Sequence, residues 1–242
     1  MSAPWLINKP ASPSIWDDEF ETNELDSRWT KLIPGVHDFT SVSTFDPYAA
    51  FTTGNHRYSI NAHRKSWLMI QPVASYGVGP NGINQGWKMD ISGLPTNAFI
   101  YARVSTSERR ASIADGDGEV WLFPRDSLGT SFILCGMDTF GSIREGLFAR
   151  AAPSVAYANL GLIRNYFGEG FPLEYIGLQK RGLTWDGWVA PASGNWVWMG
   201  TYTHLVALTE LWLCFNNQTS AAPGNMILGA DYVRVISGKG PP

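Results

Sequence analysis

Three carboxylates stand at alternating positions in Asp115-Gly116-Asp117-Gly118-Glu119. On an extended strand this spacing puts all three on one face, because successive side chains point to opposite sides. Three carboxylates so placed suit calcium, a hard cation that takes oxygen ligands from a short loop. The glycines between them pull the other way, since glycine weakens a strand and favours a turn. The segment is therefore read first as a solvated turn. A calcium set of Asp115, Asp117 and Glu119 is the alternative, and no other cofactor is expected.

The second group able to do chemistry is aromatic. Trp185, Trp188, Trp196, Trp198, Tyr202 and Trp212 crowd into one stretch. If 195–202 is a strand, Trp196, Trp198 and Tyr202 share one face, and Val197, Met199 and Thr201 share the other. Val197 and Met199 suit a core. The aromatic face is then free for a ligand, and Trp185, Trp188, Trp196, Trp198 and Tyr202 are the candidate binding residues. Three uses stay open: stacking of sugar rings, contact with another subunit, and packing inside the fold. The histidines, His37, His56, His63 and His204, have no zinc-ligand spacing, and the sequence has no G-x-S-x-G elbow or phosphate-cradling glycine loop. The expected set of catalytic residues is empty.

Whatever positions these residues is built from strands. Segments 98–104, 119–123, 173–180, 195–202 and 226–235 carry strand patterns separated by turn residues, and only 142–151 admits a helical turn. Many short strands without helical periods predict an all-β antiparallel sandwich. The 242 residues fit one such domain of about 200–250 residues. Residues 1–15, with Pro4, Pro10 and Pro13, read as an extended arm whose Trp5, Leu6 and Ile7 pack on a neighbouring subunit or cover a sheet edge. The sandwich takes 16–236, and 237–242 is a tail. Cys135 and Cys214 lie in apolar runs and are read first as buried free thiols, with a disulfide as the alternative if their strands are neighbours.

Net charge is −3, which leaves no electrostatic footprint for nucleic acid. Six of the 21 acids fall between Asp17 and Asp26 and are read as a solvated loop. No apolar run approaches a membrane span. The N-terminus lacks the pattern of a secretory leader, so synthesis and folding in a cytoplasm are expected.

Both ends of the domain carry a resemblance. Asp17-Asp18-Glu19-Phe20 with Leu25-Asp26-Ser27-Arg28-Trp29 resembles the opening "DDFxGxxLDxRW" of concanavalin A-like lectin/glucanase domains. Ala230-Asp231-Tyr232-Val233-Arg234-Val235 resembles their closing "FDYxRV" strand. Tyr175 to Gly182 and Asn195-Trp196 are similar to their late hairpins. The resemblance implies a two-sheet jelly roll with a concave face that often holds sugar. Glucanases of that kind carry Glu-x-Asp-x-(x)-Glu on a strand; the nearest match is 115–119, where Asp115 is one methylene short.

Such domains also recur in bacteriophage virion proteins. The first functional expectation is therefore a non-enzymatic virion component on tail, baseplate or capsid surface. Its partners would be other virion proteins and itself, as a homo-oligomer, with host glycans as a further contact. A free carbohydrate-binding lectin and a glycoside hydrolase are the alternatives.

Overall fold

The computed structural model describes residues 14–22, 24–32, 37–39, 57–61, 65–71, 85–105, 118–138, 144–150, 158–164, 173–191, 194–217, 228–238 and 240–241. These residues contain fifteen strands and no helix. In chain order the strands are β1 (Thr30–Lys31), β2 (His37–Phe39), β3 (Arg57–Ile60), β4 (Leu68–Gln71), β5 (Gln85–Asp90), β6 (Asn97–Ser105), β7 (Gly118–Arg125) and β8 (Phe132–Asp138). They continue as β9 (Arg144–Arg150), β10 (Ala158–Arg164), β11 (Leu173–Arg181), β12 (Thr184–Pro191), β13 (Val197–Thr203), β14 (Glu210–Asn217) and β15 (Leu228–Ser237).

They form a seven-stranded sheet, β1-β5-β14-β7-β8-β9-β10, and an eight-stranded sheet, β13-β12-β11-β6-β15-β4-β3-β2. All named pairings are antiparallel except β2 with β3. Late strands return beside early ones, with β15 against β6 and β14 between β5 and β7. The expected all-β jelly-roll sandwich is what the chain forms.

Alternation explains the core. On β6, Ala98, Ile100, Ala102 and Val104 face the opposite sheet, and Val120 and Leu122 on β7 meet them with Leu211, Leu213 and Phe215 of β14. Trp87 sits at the centre, edge-on to Tyr58 at 4.9 Å and Phe215 at 6.0 Å. Each sheet also has an apolar outer face. Phe99, Tyr101, Tyr175 and Tyr232 cluster on the eight-stranded sheet, and Trp121, Phe123, Phe132 and Leu134 cluster on the seven-stranded one. Cys135 points into the core and Cys214 into the outer cluster, so both stay free and buried.

Among the described residues of the segment 142–151, no helical turn is formed. Residues 144–150 are β9, paired along β8, with Leu147 and Ala149 both in the inter-sheet core. A period of two that buries both side chains outweighs local propensity here.

Of the acids in 17–26, Glu21 and Glu24 are exposed as the solvated-loop reading expects, but Asp17, Asp18 and Glu19 depart from it. Asp18 forms a two-way backbone bridge with Val233 (2.8 and 2.9 Å), and Asp17 Oδ1 accepts from Val235 N at 2.7 Å. Glu19 takes two hydrogen bonds from Arg234, at 2.6 and 2.7 Å. Trp29 Nε1 donates to Asp18 Oδ2 at 2.7 Å. Burial lifts the Asp18 carboxyl above its ordinary value, against the lowering effect of the Phe20 N–H and the Trp29 indole. Asp26 is held at about 2 by hydrogen bonds from the Arg28 guanidinium and backbone. The opening and closing motifs are thus the two halves of a clasp joining the start of the domain to its last strand. Ser14, whose N and Oγ both bond Asp17, belongs to the clasp as well.

Candidate functional site

The β11–β12 hairpin turns at Gly182, where φ is +64°, a conformation glycine adopts without strain. It carries the aromatic hairpin to the edge of the eight-stranded sheet. There the register aligns one row across five strands. Trp198 of β13 stands opposite Trp188 of β12, then come Gly177 of β11, Tyr101 of β6 and Arg234 of β15.

Trp196, just before β13, lies over this row. Its ring meets Phe99 edge-on at 5.1 Å and Tyr101 at 6.0 Å. Gly177 makes that possible: a Cβ there would fall 2.5 Å from the Phe99 ring and 3.0 Å from the Trp196 ring. Beside the aromatic row runs a more polar one, Thr201, Asp186, Gln179, Phe99 and Ile236. On the other side run Ala190, Tyr175, Arg103 and Tyr232. The floor is buried, but Trp198 at the edge is 55% exposed, and Trp188 and Trp196 are half-buried.

The charges of this face are matched. Arg103 pairs with Asp231 at 3.0 Å, Arg181 with Asp186 at 2.5 Å and Arg234 with Glu19 at 2.6 Å. Thr201 Oγ1 donates to the second oxygen of Asp186. Burial of Arg234 opposes its charge, but the Glu19 carboxylate outweighs that and raises its pKa. Arg234 also stacks on Tyr232 at 3.7 Å, and burial pushes the Tyr232 and Tyr101 hydroxyls upward.

The structure therefore brings three of the five expected aromatic residues together, Trp188, Trp196 and Trp198. The other two are corrected. Trp185 is buried between the sheets, and Tyr202, its partner across β12–β13, packs on the same inter-sheet core. For Trp185 alternation suffices, since it stands three residues from Trp188 on one strand; for Tyr202 the cause is a β-bulge, the register slipping between Gly187 and Trp188 so that Gly187 faces Gly200, Trp188 faces Trp198, and Met199 is extra. One inserted residue reverses the alternation beyond it. Trp198 and Tyr202 consequently lie on opposite faces.

Of the carboxylate triplet, Asp115 and Asp117 lie outside the described residues. Glu119 is on β7, only 1% exposed, on the same face as Trp121 and Phe123. It is part of a strand and not of a solvated turn. The register sets Asp138 and Asn216 opposite it on β8 and β14. No cluster of three metal-ligating side chains occurs among the described residues.

The sequence reading missed Phe99, Tyr101, Tyr175, Gln179 and Tyr232, which come from strands remote in the chain. The available signal was β6 itself, where Phe99 and Tyr101 alternate with Ala98, Ile100 and Ala102. Two large rings on the face opposite the core side chains mark a second apolar surface.

Two other features lie away from this face. A cleft of about 380 Å³ on the seven-stranded sheet is lined by Arg28, Thr30, Lys88, Met89, Asp90, Thr209 and Glu210. Its charges are engaged: Lys88 with Glu210 at 2.8 Å, and Arg28 with Asp26 at 2.8 Å. Near one tip of the sandwich, Ser131 Oγ lies 3.0 Å from His204 Nδ1, both buried. Their burial removes them from any substrate.

No protein-family model and no curated protein matches the sequence significantly. Solved structures share its fold. The GH43 protein BlXynB from Bacillus licheniformis aligns with a TM-score of 0.61 at 11% identity, over 91% of this chain and 39% of that one. The endo-1,3-beta-glucanase from Streptomyces sioyaensis aligns at 0.57 and 12% identity, over 94% and 98%. The CBM2 module of the evolved Dit of Lactobacillus casei BL23 phage J-1 aligns at 0.54 and 14% identity, over 92% and 94%. The chain thus spans 39% of the GH43 protein's length and nearly all of the other two. At these identities the likeness defines the fold, which is the concanavalin A-like jelly roll.

Proposed function

We propose that this chain is a non-catalytic carbohydrate-binding jelly roll whose ligand stacks at the β12–β13 edge. The observation that carries this reading is Trp198, 55% exposed and paired in register with half-buried Trp188, at the edge of a sheet face on which Phe99, Tyr101 and Trp196 pack together. An aromatic face held rigid from below suits the apolar side of a sugar ring and loses little entropy on binding. The likeness in extent to a phage carbohydrate-binding module supports an adhesion role on a virion. Self-association is part of the proposal. Leu128, Leu183, Leu205 and Val206 are exposed on turns linked through His204, which bonds both Leu183 O and Ser131.

The hydrolase alternative has one point in its favour, the opposition of Glu119 and Asp138 in register. Against it, Glu119 is covered, and a retaining or inverting pair must stand open across a cleft. A glycan array followed by calorimetry tests the proposal. Trp198→Ala, with an unchanged circular dichroism spectrum, should lose about tenfold or more in affinity. Full affinity in that variant removes the site; an array without any bound glycan removes the function.

A further inference from the structure

Resting on that reading, we infer that the glycan is uncharged and that Gln179 is the side chain that reads its hydroxyls. Three arginines beside the platform, on β6, β11 and β15, are each tied to a carboxylate, Arg103 to Asp231, Arg181 to Asp186 and Arg234 to Glu19. An anionic sugar approaching any of them also meets the negative charge of its partner, which offsets part of the attraction. To take a carboxylate's place it must displace a group already at hydrogen-bond distance; Glu19 holds Arg234 through two bonds, and Asp186 is further held by Thr201. Among the described side chains of β6, β11, β12, β13 and β15, the platform therefore offers no unmatched arginine to a uronate, sulfate or phosphate.

What it does offer is neutral. The Gln179 amide is half-buried and makes no hydrogen bond among the described residues. Gln179 stands between Asp186 and Phe99 in the row next to Trp188, two strands from the β13 edge, or about 10 Å. Gly240 of the tail passes beside it, where an added Cβ would sit 3.4 Å from Gln179 Oε1. The amide is thus held beside the stacking platform, with one acceptor and two donors to offer. That inventory matches sugar hydroxyls, which both donate and accept.

The test is calorimetry on the full chain with two probe sets, at about 50 and about 500 mM NaCl, conditions between which exposed charge–charge attraction is largely screened. The neutral set is xylohexaose, laminarihexaose, cellohexaose and dextran; the anionic set is polygalacturonate, alginate and dextran sulfate. Expected is binding to a neutral probe that changes less than about twofold with salt. Gln179→Ala should weaken it about tenfold, and Arg181→Gln should leave it unchanged. Gln179→Glu, nearly isosteric, should weaken it as well and guards against a packing defect in the alanine variant. Binding of an anionic probe that collapses with salt and is lost in Arg181→Gln overturns the inference while sparing the carbohydrate reading. Neutral binding untouched by either Gln179 variant overturns the role of that residue. Silence toward both sets overturns the carbohydrate reading and this inference together.

Discussion

Lowering the pH from about 7 to about 4 destabilises the protein through one buried imidazole, that of His204. Its backbone N–H donates to Leu183 O at 3.0 Å, and its ring meets Tyr202 edge-on at 5.1 Å. Ser131 Oγ donates to Arg150 O at 3.2 Å and lies 3.0 Å from His204 Nδ1. Nε2 is buried and, among the described residues, has no acceptor for a second proton. Burial accordingly depresses the pKa from 6.5 to about 4, against weaker opposite pulls from the Arg150 carbonyl and Asp126.

The unfolded chain takes up a proton below about 6.5, and the folded chain does not until about 4. Stability is therefore unaffected by this group above neutrality and falls as pH drops through that window. A tenfold difference in proton affinity between the folded and unfolded chain is worth about 1.4 kcal/mol, so the loss is about 1.4 kcal/mol near pH 5.5 and about 3 kcal/mol near pH 4. Urea unfolding of the native protein and of His204→Gln, compared across that range, isolates the contribution, because glutamine does not titrate. The two proteins should differ in pH slope by these amounts. Parallel slopes would show that the imidazole titrates normally in the fold and refute the argument.

Further perturbations address the clasp, the platform and the thiols. Glu19→Gln leaves the Arg234 guanidinium, only 8% exposed, without its counter-charge, and should cost about 3 kcal/mol in urea unfolding; a loss under about 1 kcal/mol would mean that the pair does not hold the clasp. Gly177→Ala drives a methyl against Phe99 and Trp196 and should cost about 1–3 kcal/mol, with a shifted tryptophan emission maximum; an unperturbed spectrum would count against the close approach. Cys135 and Cys214 are both buried, and burial raises the Cys214 thiol well above its usual value; an aromatic disulfide reagent should find no thiol in the native protein and two after unfolding.

The strand architecture was legible because alternation and turn residues act locally. Segments 98–104, 119–123 and 173–180 all lie inside observed strands, β6, β7 and β11. Where tertiary pairing decides, local reading failed. The bulge at Met199 is invisible in Val197-Trp198-Met199-Gly200, and without it Tyr202 counts onto the wrong face. The acids at 17–19 look like a solvated run until the partners on β15 are known, more than two hundred positions away. The platform edge was legible from its tryptophans. Its floor was not, because Tyr101, Gly177 and Arg234 meet only through strand register.

The most direct measurement is an NMR titration of the tryptophan indole N–H signals with a glycan identified by the array. Binding on the eight-stranded face predicts that Trp188, Trp196 and Trp198 shift progressively, while Trp87 and Trp185, enclosed between the sheets, stay in place. Shifts confined to Trp121 and Trp212 would put the ligand on the opposite sheet and contradict the account.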